Sequence, residues 1–91
     1  MLKSQLTKYG LEFLGTIFFI YTIILTGNAW AIGLALAVMI YIAGPITGGH
    51  FNPAVTITMY AKKAISFNDA LFYILAQVLG GLVSMVLFSM I

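Results

Sequence analysis

Three long apolar segments dominate this chain of 91 residues and restrict the environments in which it can fold. They run from about 9 to 26, from about 29 to 43 and from about 69 to 91. Only 7% of the residues are charged, whereas about a quarter are charged in a soluble domain. A helix of about 20 residues crosses the ~30 Å hydrocarbon core of a bilayer. We therefore predict an all-α, multi-pass membrane protein with three spans, forming one module over residues 1–91.

The segment between the second and third spans, residues 44–60, differs from all three. It begins with a glycine–proline pair and ends as a short apolar helix from Pro53 to Tyr60, which would reach ~12 Å, less than half a bilayer. Asn52 is a favourable N-cap and proline a favourable first helical residue. An ordinary extramembrane loop is the alternative, but it would leave several large apolar side chains in water. The pattern favours a re-entrant loop that leads into a half-helix.

Small residues recur at every fourth position in the second and third spans. This spacing places each set on one helix face and allows helix backbones to approach closely. The sets predict tight helix packing, and they are Ala29, Gly33 and Ala37 in the second span and Ala76, Gly80 and Ser84 in the third.

Three stretches of the sequence, in order and at matching spacing, resemble a known family. Gly-Gly-His-Phe-Asn-Pro-Ala-Val-Thr at 48–56 resembles the first signature loop of the major intrinsic protein family, the aquaporins and glycerol facilitators. Glu-Phe-Leu-Gly-Thr at 12–16 resembles its first-helix glutamate motif, and Ala-Gln-Val-Leu-Gly-Gly at 76–81 its third-helix pattern. The resemblance implies the amino-terminal half of an aquaporin-type fold, which comprises three transmembrane helices and one re-entrant half-helix.

The half-helix predicts where a solute path would lie. A helix that starts at mid-membrane points unpaired N–H groups and the positive end of its dipole at that depth. Irregular backbone is tolerated there only where it lines a cavity, and residues 48–51, if extended, would offer successive carbonyl acceptors. The pore-lining candidates, of which the last two follow from alignment with the family, are Gly48, Gly49, His50, Phe51, Asn52, Pro53, Ala54, Val55, Ile32 and Ile40.

Three of these candidates carry specific expectations. Asn52 either caps its own helix only or, as the resemblance implies, also points its amide N–H at passing water. His50 is either a structural histidine or, by the same resemblance, part of the cytoplasmic pore mouth. Ile32 falls at the second-helix position of the family's selectivity constriction. Because that position is often aromatic in water-selective members, exclusion of solutes larger than water is left open.

Glu12 lies inside the first span, where a carboxylate is costly and suggests function. One interpretation is a proton-coupled antiporter site, as in small multidrug transporters of similar length. The resemblance instead implies a structural acceptor for the N–H groups of the re-entrant loop, with Gln77 as a second supporting residue. The signature loop has no place in the transporter interpretation, so we favour the structural role.

The resemblance also implies a missing half, because the family's full pore has six spans and two half-helices. The second signature loop, with its arginine, is absent, and Val55 stands where that arginine would be. An inverted copy or a separate complementary chain would have to complete the pore; a non-conducting fragment is the alternative. A cytoplasmic N-terminus would place Lys3, Lys8, Lys62 and Lys63 all on the cytoplasmic side, which favours a single orientation.

The composition argues against other classes of function. The chain has no cysteine and a single histidine, so we expect no metal site and no cofactor. No nucleophile–base pair is visible, so we expect no enzyme. The net charge of +2 indicates membrane orientation rather than nucleic-acid binding. The expected partners are the lipid bilayer, a second channel half, and water or small neutral solutes.

Overall fold

The computed structural model describes residues 2–91, which form four helices. These are α1 (Lys3–Thr26), α2 (Ala29–Thr47), α3 (Pro53–Ala61) and α4 (Phe67–Ser89). Three of them, with 24, 19 and 23 residues, are long and apolar enough to cross a membrane, and α3 is not. The predicted all-α class, with three spans and one short helix, is confirmed.

Helix α1 begins at Lys3, six residues before the predicted start at 9, and α2 ends at Thr47, four residues after the predicted end at 43. The helix extends beyond residue 43 through Gly44 and Pro45 and ends at Thr47. Gly48 then adopts a left-handed conformation (φ 92°), and its N–H donates to the carbonyl of Gly44. A left-handed glycine after the last turn is a common helix terminator. The terminator is therefore Gly48, and Pro45 remains within the last turn.

Helices α1 and α4 run in parallel and form the main packing pair. A Cβ on Gly80 of α4 would lie 2.9 Å from the carbonyl oxygen of Phe13, so the two backbones meet closely. The Ser84 hydroxyl donates to the carbonyl of Ile17 at 2.9 Å. Near their N-terminal ends, the Tyr9 hydroxyl of α1 donates to Asp69 of α4 at 2.7 Å. The small residues of the third span thus pack as predicted.

The small residues of α2 lie elsewhere. Helix α2 turns a different face, which includes the buried Ala35 and Ala43, towards the rest of the chain. A Cβ on Gly33 would meet no atom within 4 Å, and Ala29 and Ala37 are exposed. The prediction of tight packing therefore does not hold for this set within the described chain.

The loop before α3 reaches the middle of α1. The Phe51 ring packs where a Cβ on Gly15 would stand, and Gly15 lies ~18 Å along a helix that is ~36 Å long. Helix α3 has nine residues, a rise of ~13 Å, and returns towards the start of α4, where Tyr60 and Phe67 pack edge to face. The chain thus enters to mid-depth and leaves by the same end, which is the geometry of a re-entrant half-helix.

Candidate channel loop

The Glu12 carboxylate of α1 is fully buried and accepts the hydrogen bonds that hold the loop between α2 and α3. One oxygen accepts from the Thr47 hydroxyl at 2.8 Å and from the His50 N–H at 3.2 Å. The other accepts from the Phe51 N–H at 2.8 Å and from the Gln77 amide at 2.9 Å. Four donors match the acceptor capacity of an ionised carboxylate. Glu12 therefore joins α1 to α2, to the loop and to α4.

A second set of polar contacts extends from this carboxylate to the histidine ring. The Gln77 amide nitrogen also donates to the Thr56 hydroxyl at 2.9 Å. The same hydroxyl lies 2.8 Å from Nδ1 of His50. Thr56 is fully buried on α3, and His50 is 7% exposed. Glu12, Gln77, Thr56 and His50 thus form one continuous hydrogen-bonded series.

The backbone of residues 48–51 is not an extended strand. Gly48, Gly49 and Phe51 have positive φ values of 92°, 66° and 52°. The N–H groups of Gly49, His50 and Phe51 are all held by the Thr47 hydroxyl or the Glu12 carboxylate. A left-handed Phe is uncommon, and its cost is met here by the short bond to Glu12 and by burial of the ring.

The carbonyl groups of the same four residues have a different environment. Within residues 2–91, none of the carbonyls of 48–51 accepts a hydrogen bond. The backbone therefore has its donors tied to the protein and its acceptors free. Positive φ angles, rather than an extended strand, produce this asymmetry.

Within the described residues, only one of the two polar atoms of the Asn52 side-chain amide has a hydrogen-bond partner. Its Oδ1 accepts from the N–H of Ala54 at 2.8 Å, so it caps α3. Its Nδ2 has no hydrogen-bond partner among the described residues, and the side chain is exposed. The cap and a free donor coexist in the same side chain.

The other candidate residues differ in their position and in their exposure. Gly49 lies against Ile40, whose side chain would be 3.3 Å from a Cβ on that glycine. Ile32 lies eight residues earlier on α2, ~12 Å away along the helix axis. Phe51 is 2% exposed, so only its backbone remains available to a path. In the first turn of α3, Pro53 and Val55 are half-buried and Ala54 is exposed.

A cavity of ≈450 Å³ opens beside the loop, at the end of the molecule where α1 and α4 begin. Its wall includes Lys8, Thr47, Gly48, His50, Asp69 and Tyr73. Lys8 and Asp69 form an ion pair at 3.7 Å in this wall. His50 therefore lies between the buried series and this open cavity, the vestibule, whose wall is partly polar and partly apolar.

Sequence reasoning missed three residues that shape the loop. Thr47 and Thr56 supply hydroxyl groups, and the Tyr73 hydroxyl donates to the Thr47 carbonyl at 2.7 Å. One signal was present in the sequence, because Tyr73 and Gln77 are four apart and lie on one face of α4. Thr56 is the last residue of the signature stretch at 48–56, but the stretch gave its hydroxyl no role, and nothing distinguishes Thr47 from other threonines of the chain.

The fold and the loop together define a class: a multi-pass membrane protein with half of an aquaporin-type fold. The family model for the major intrinsic protein family matches residues 22–91. The chain belongs to the major intrinsic protein family.

Two relatives illustrate the extent of the match. Glycerol uptake facilitator protein-like 6 of Lactiplantibacillus plantarum is 43% identical over 86 residues, covering 85% of this chain and 40% of that protein. Probable aquaporin PIP-type 7a of Pisum sativum is 34% identical over 102 residues, covering 87% of this chain and 35% of that protein. The chain thus spans well under half the length of these curated relatives.

Proposed function

We propose that this chain is half of a passive channel for water, with small uncharged polyols such as glycerol as further candidate solutes. The observation that carries the proposal is the loop itself, with four free carbonyls followed by a half-helix that starts at mid-depth. Membership of the family and the similarity to a probable aquaporin and to a glycerol uptake facilitator-like protein support the same solute class.

The loop offers both kinds of contact that a file of water molecules needs. The carbonyls of 48–51, which are unpaired within the described residues, can accept hydrogen bonds from water, and the unpaired Asn52 Nδ2 can donate one. The start of α3 adds the positive end of a helix dipole, which repels cations, as in aquaporin-type pores. Neutral solutes that can donate and accept hydrogen bonds suit this lining, whereas cations do not.

A second half is part of the proposal. In a bilayer the free backbone groups at mid-depth would cost several kcal/mol each if they faced lipid. The exposed side of α3 and the outward Ala29, Gly33 and Ala37 of α2 are surfaces that a second half could cover. An inverted copy, as in inverted-repeat transporters, or a separate complementary chain could supply that half.

The two-copy version of the pore makes a specific assignment. In it, Ile40, Gly49 and Val55 of one copy face Ile32 of the other. No arginine and no aromatic ring then narrows the path, so glycerol should pass measurably in addition to water. The placement of Ile40 against Gly49 within one chain supports this assignment.

The bonding of Glu12 disfavours proton-coupled antiport. Transport of that kind needs a carboxylate that can exchange protons with a solute path. All acceptor positions of Glu12 are filled by protein donors, and the side chain is fully buried. A structural role is therefore the better proposal for Glu12.

Stopped-flow shrinkage of proteoliposomes tests the proposal directly. Reconstitution from detergent that inserts both orientations would also provide inverted copies. We expect water flux above that of protein-free vesicles and a lower flux for Asn52→Asp. Aspartate retains the helix cap but replaces the free donor with an anionic acceptor. A lower flux can therefore be assigned to the lost donor and not to a lost helix cap.

An imposed pH gradient separates the channel from the antiporter. A passive channel conducts at the same rate with or without the gradient. Solute uptake that is driven by the gradient would overturn the proposal in favour of antiport through Glu12.

A further inference from the structure

We propose that Thr56 is a positioning residue that holds His50 in one neutral tautomer, with the proton on Nε2 and the bare Nδ1 facing the protein. The tautomer is set by the Glu12 carboxylate, three hydrogen bonds away.

The first step fixes the orientation of Gln77. Its amide has one end 2.9 Å from a Glu12 oxygen, and the same end is 2.9 Å from the Thr56 hydroxyl. A carbonyl oxygen at that end would face the carboxylate with no proton between them. The NH₂ group must therefore occupy it, although Oε1 is then left without a hydrogen-bond partner in residues 2–91.

The second step determines the group to which the Thr56 hydroxyl donates its proton. It accepts one hydrogen bond from Gln77, and its own proton needs an acceptor because the group is fully buried. Within the described residues its other hydrogen-bond partner is Nδ1 of His50 at 2.8 Å. The hydroxyl therefore donates to Nδ1.

The third step determines which ring nitrogen of His50 carries the proton. A neutral imidazole has one N–H, and the hydrogen bond at one nitrogen determines the state of the other. Because Nδ1 accepts from Thr56, the proton is on Nε2. That nitrogen has no hydrogen bond to the described chain, yet it is not sealed from solvent, and the ring forms part of the vestibule wall.

This tautomer of His50 adds a hydrogen-bond donor to the vestibule. The carbonyls of 48–51 supply only acceptors, and a fixed Nε2–H supplies an uncharged donor beside them. This functional meaning rests on the proposed channel, whereas the tautomer itself does not. A confirmed tautomer without water flux would refute only the channel, and flux with the proton on Nδ1 would refute only this inference.

The experiment uses ¹⁵N-histidine labelling of the full chain in lipid bilayers, with solid-state NMR at a pH where the imidazole is neutral. His50 is the single histidine, so two ring resonances are expected, and each reports whether its nitrogen carries the proton. We expect a protonated Nε2 and a bare, hydrogen-bonded Nδ1. A dominant Nδ1–H form in the unmodified chain would overturn the inference.

Two variants test the part played by Thr56. Thr56→Val keeps the shape but removes the hydroxyl, so the Nδ1 resonance should move towards that of a nitrogen without a hydrogen bond. Thr56→Ser keeps the hydroxyl and should keep the resonance near its original position. An Nδ1 resonance that is unchanged in Thr56→Val would overturn the role of Thr56. If the valine variant fails to fold, as judged by circular dichroism, the spectra of the unmodified chain and Thr56→Ser still decide the tautomer.

Discussion

Replacing Glu12 with glutamine is the sharpest test of how the loop is held. Glutamine has nearly the same shape but presents one acceptor oxygen where the carboxylate presents two. Its best arrangement keeps the oxygen on the Phe51 N–H and Gln77 and turns the NH₂ group towards Thr47 and His50. Thr47 can adapt, because its hydroxyl also lies 3.3 Å from the carbonyl of Ala43. The His50 N–H cannot adapt and loses its acceptor.

The expected cost follows from these contacts. An orphaned buried N–H costs about 1–3 kcal/mol, and a hydrogen bond to a neutral acceptor is about 1 kcal/mol weaker than one to a charged acceptor. Together they lower the free energy of local loop opening by about 2–4 kcal/mol. Since 1.4 kcal/mol corresponds to a factor of ten, this is about a 30- to 1,000-fold change in an opening equilibrium.

Amide hydrogen exchange in bilayers measures that equilibrium residue by residue. In Glu12→Gln, the amides of His50 and Phe51 should exchange about 30- to 1,000-fold faster than in the unmodified chain. Thr22→Val is the matched control, because within residues 2–91 that hydroxyl bonds only the Phe18 carbonyl of its own helix. Unchanged exchange at His50 and Phe51 in Glu12→Gln would refute the reasoning, as would equal acceleration in the control.

Three further predictions concern packing, selectivity and orientation. Gly80→Ala should destabilise the fold by about 1–3 kcal/mol, because its Cβ would press on the Phe13 carbonyl. In the single chain, without a second half on α2, Gly33→Ala should be neutral or stabilising. Equal effects of the two substitutions in denaturant titrations would contradict the packing described for α4. In a conducting two-copy pore, Ile32→Phe should reduce glycerol flux more than water flux in stopped-flow assays, and equal losses would argue against Ile32 facing the path. Reporters fused after Ile91, one active only in the cytoplasm and one only outside, should show mostly external ends, because all four lysines then stay inside; near-equal signals would contradict a single orientation.

Features that depend on local sequence could be predicted, and those that depend on tertiary contacts could not. The lengths of the apolar segments predicted the three spans, and the Asn52-Pro53 pair predicted the start of the half-helix, since capping is a local property. The short length of the second segment suggested that α2 continues beyond residue 43, but the sequence did not show that the helix would pass through Pro45. That continuation depends on the end of the helix docking through Thr47 onto Glu12 and Tyr73.

The loop conformation illustrates the same limit. Nothing in the sequence signals that Phe51 has a positive φ, because bulky residues rarely do. The conformation is imposed by Glu12, 39 residues earlier in the chain, which holds its N–H. Likewise, family resemblance indicated Glu12 and Gln77 as loop supports, but it gave no role to Thr56. That role follows only from the placement of α3 beside α4.

The distribution of Glu12's donors along the chain has a consequence for biosynthesis. The carboxylate is in the first helix, and its donors come from residues 47, 50, 51 and 77. The first helix leaves the ribosome before any of those donors, because it precedes them in the chain. Glu12 must therefore stay hydrated or lie at the lipid boundary until its donors have followed. Insertion of the first helix and closure of the loop around Glu12 are thereby separated in time.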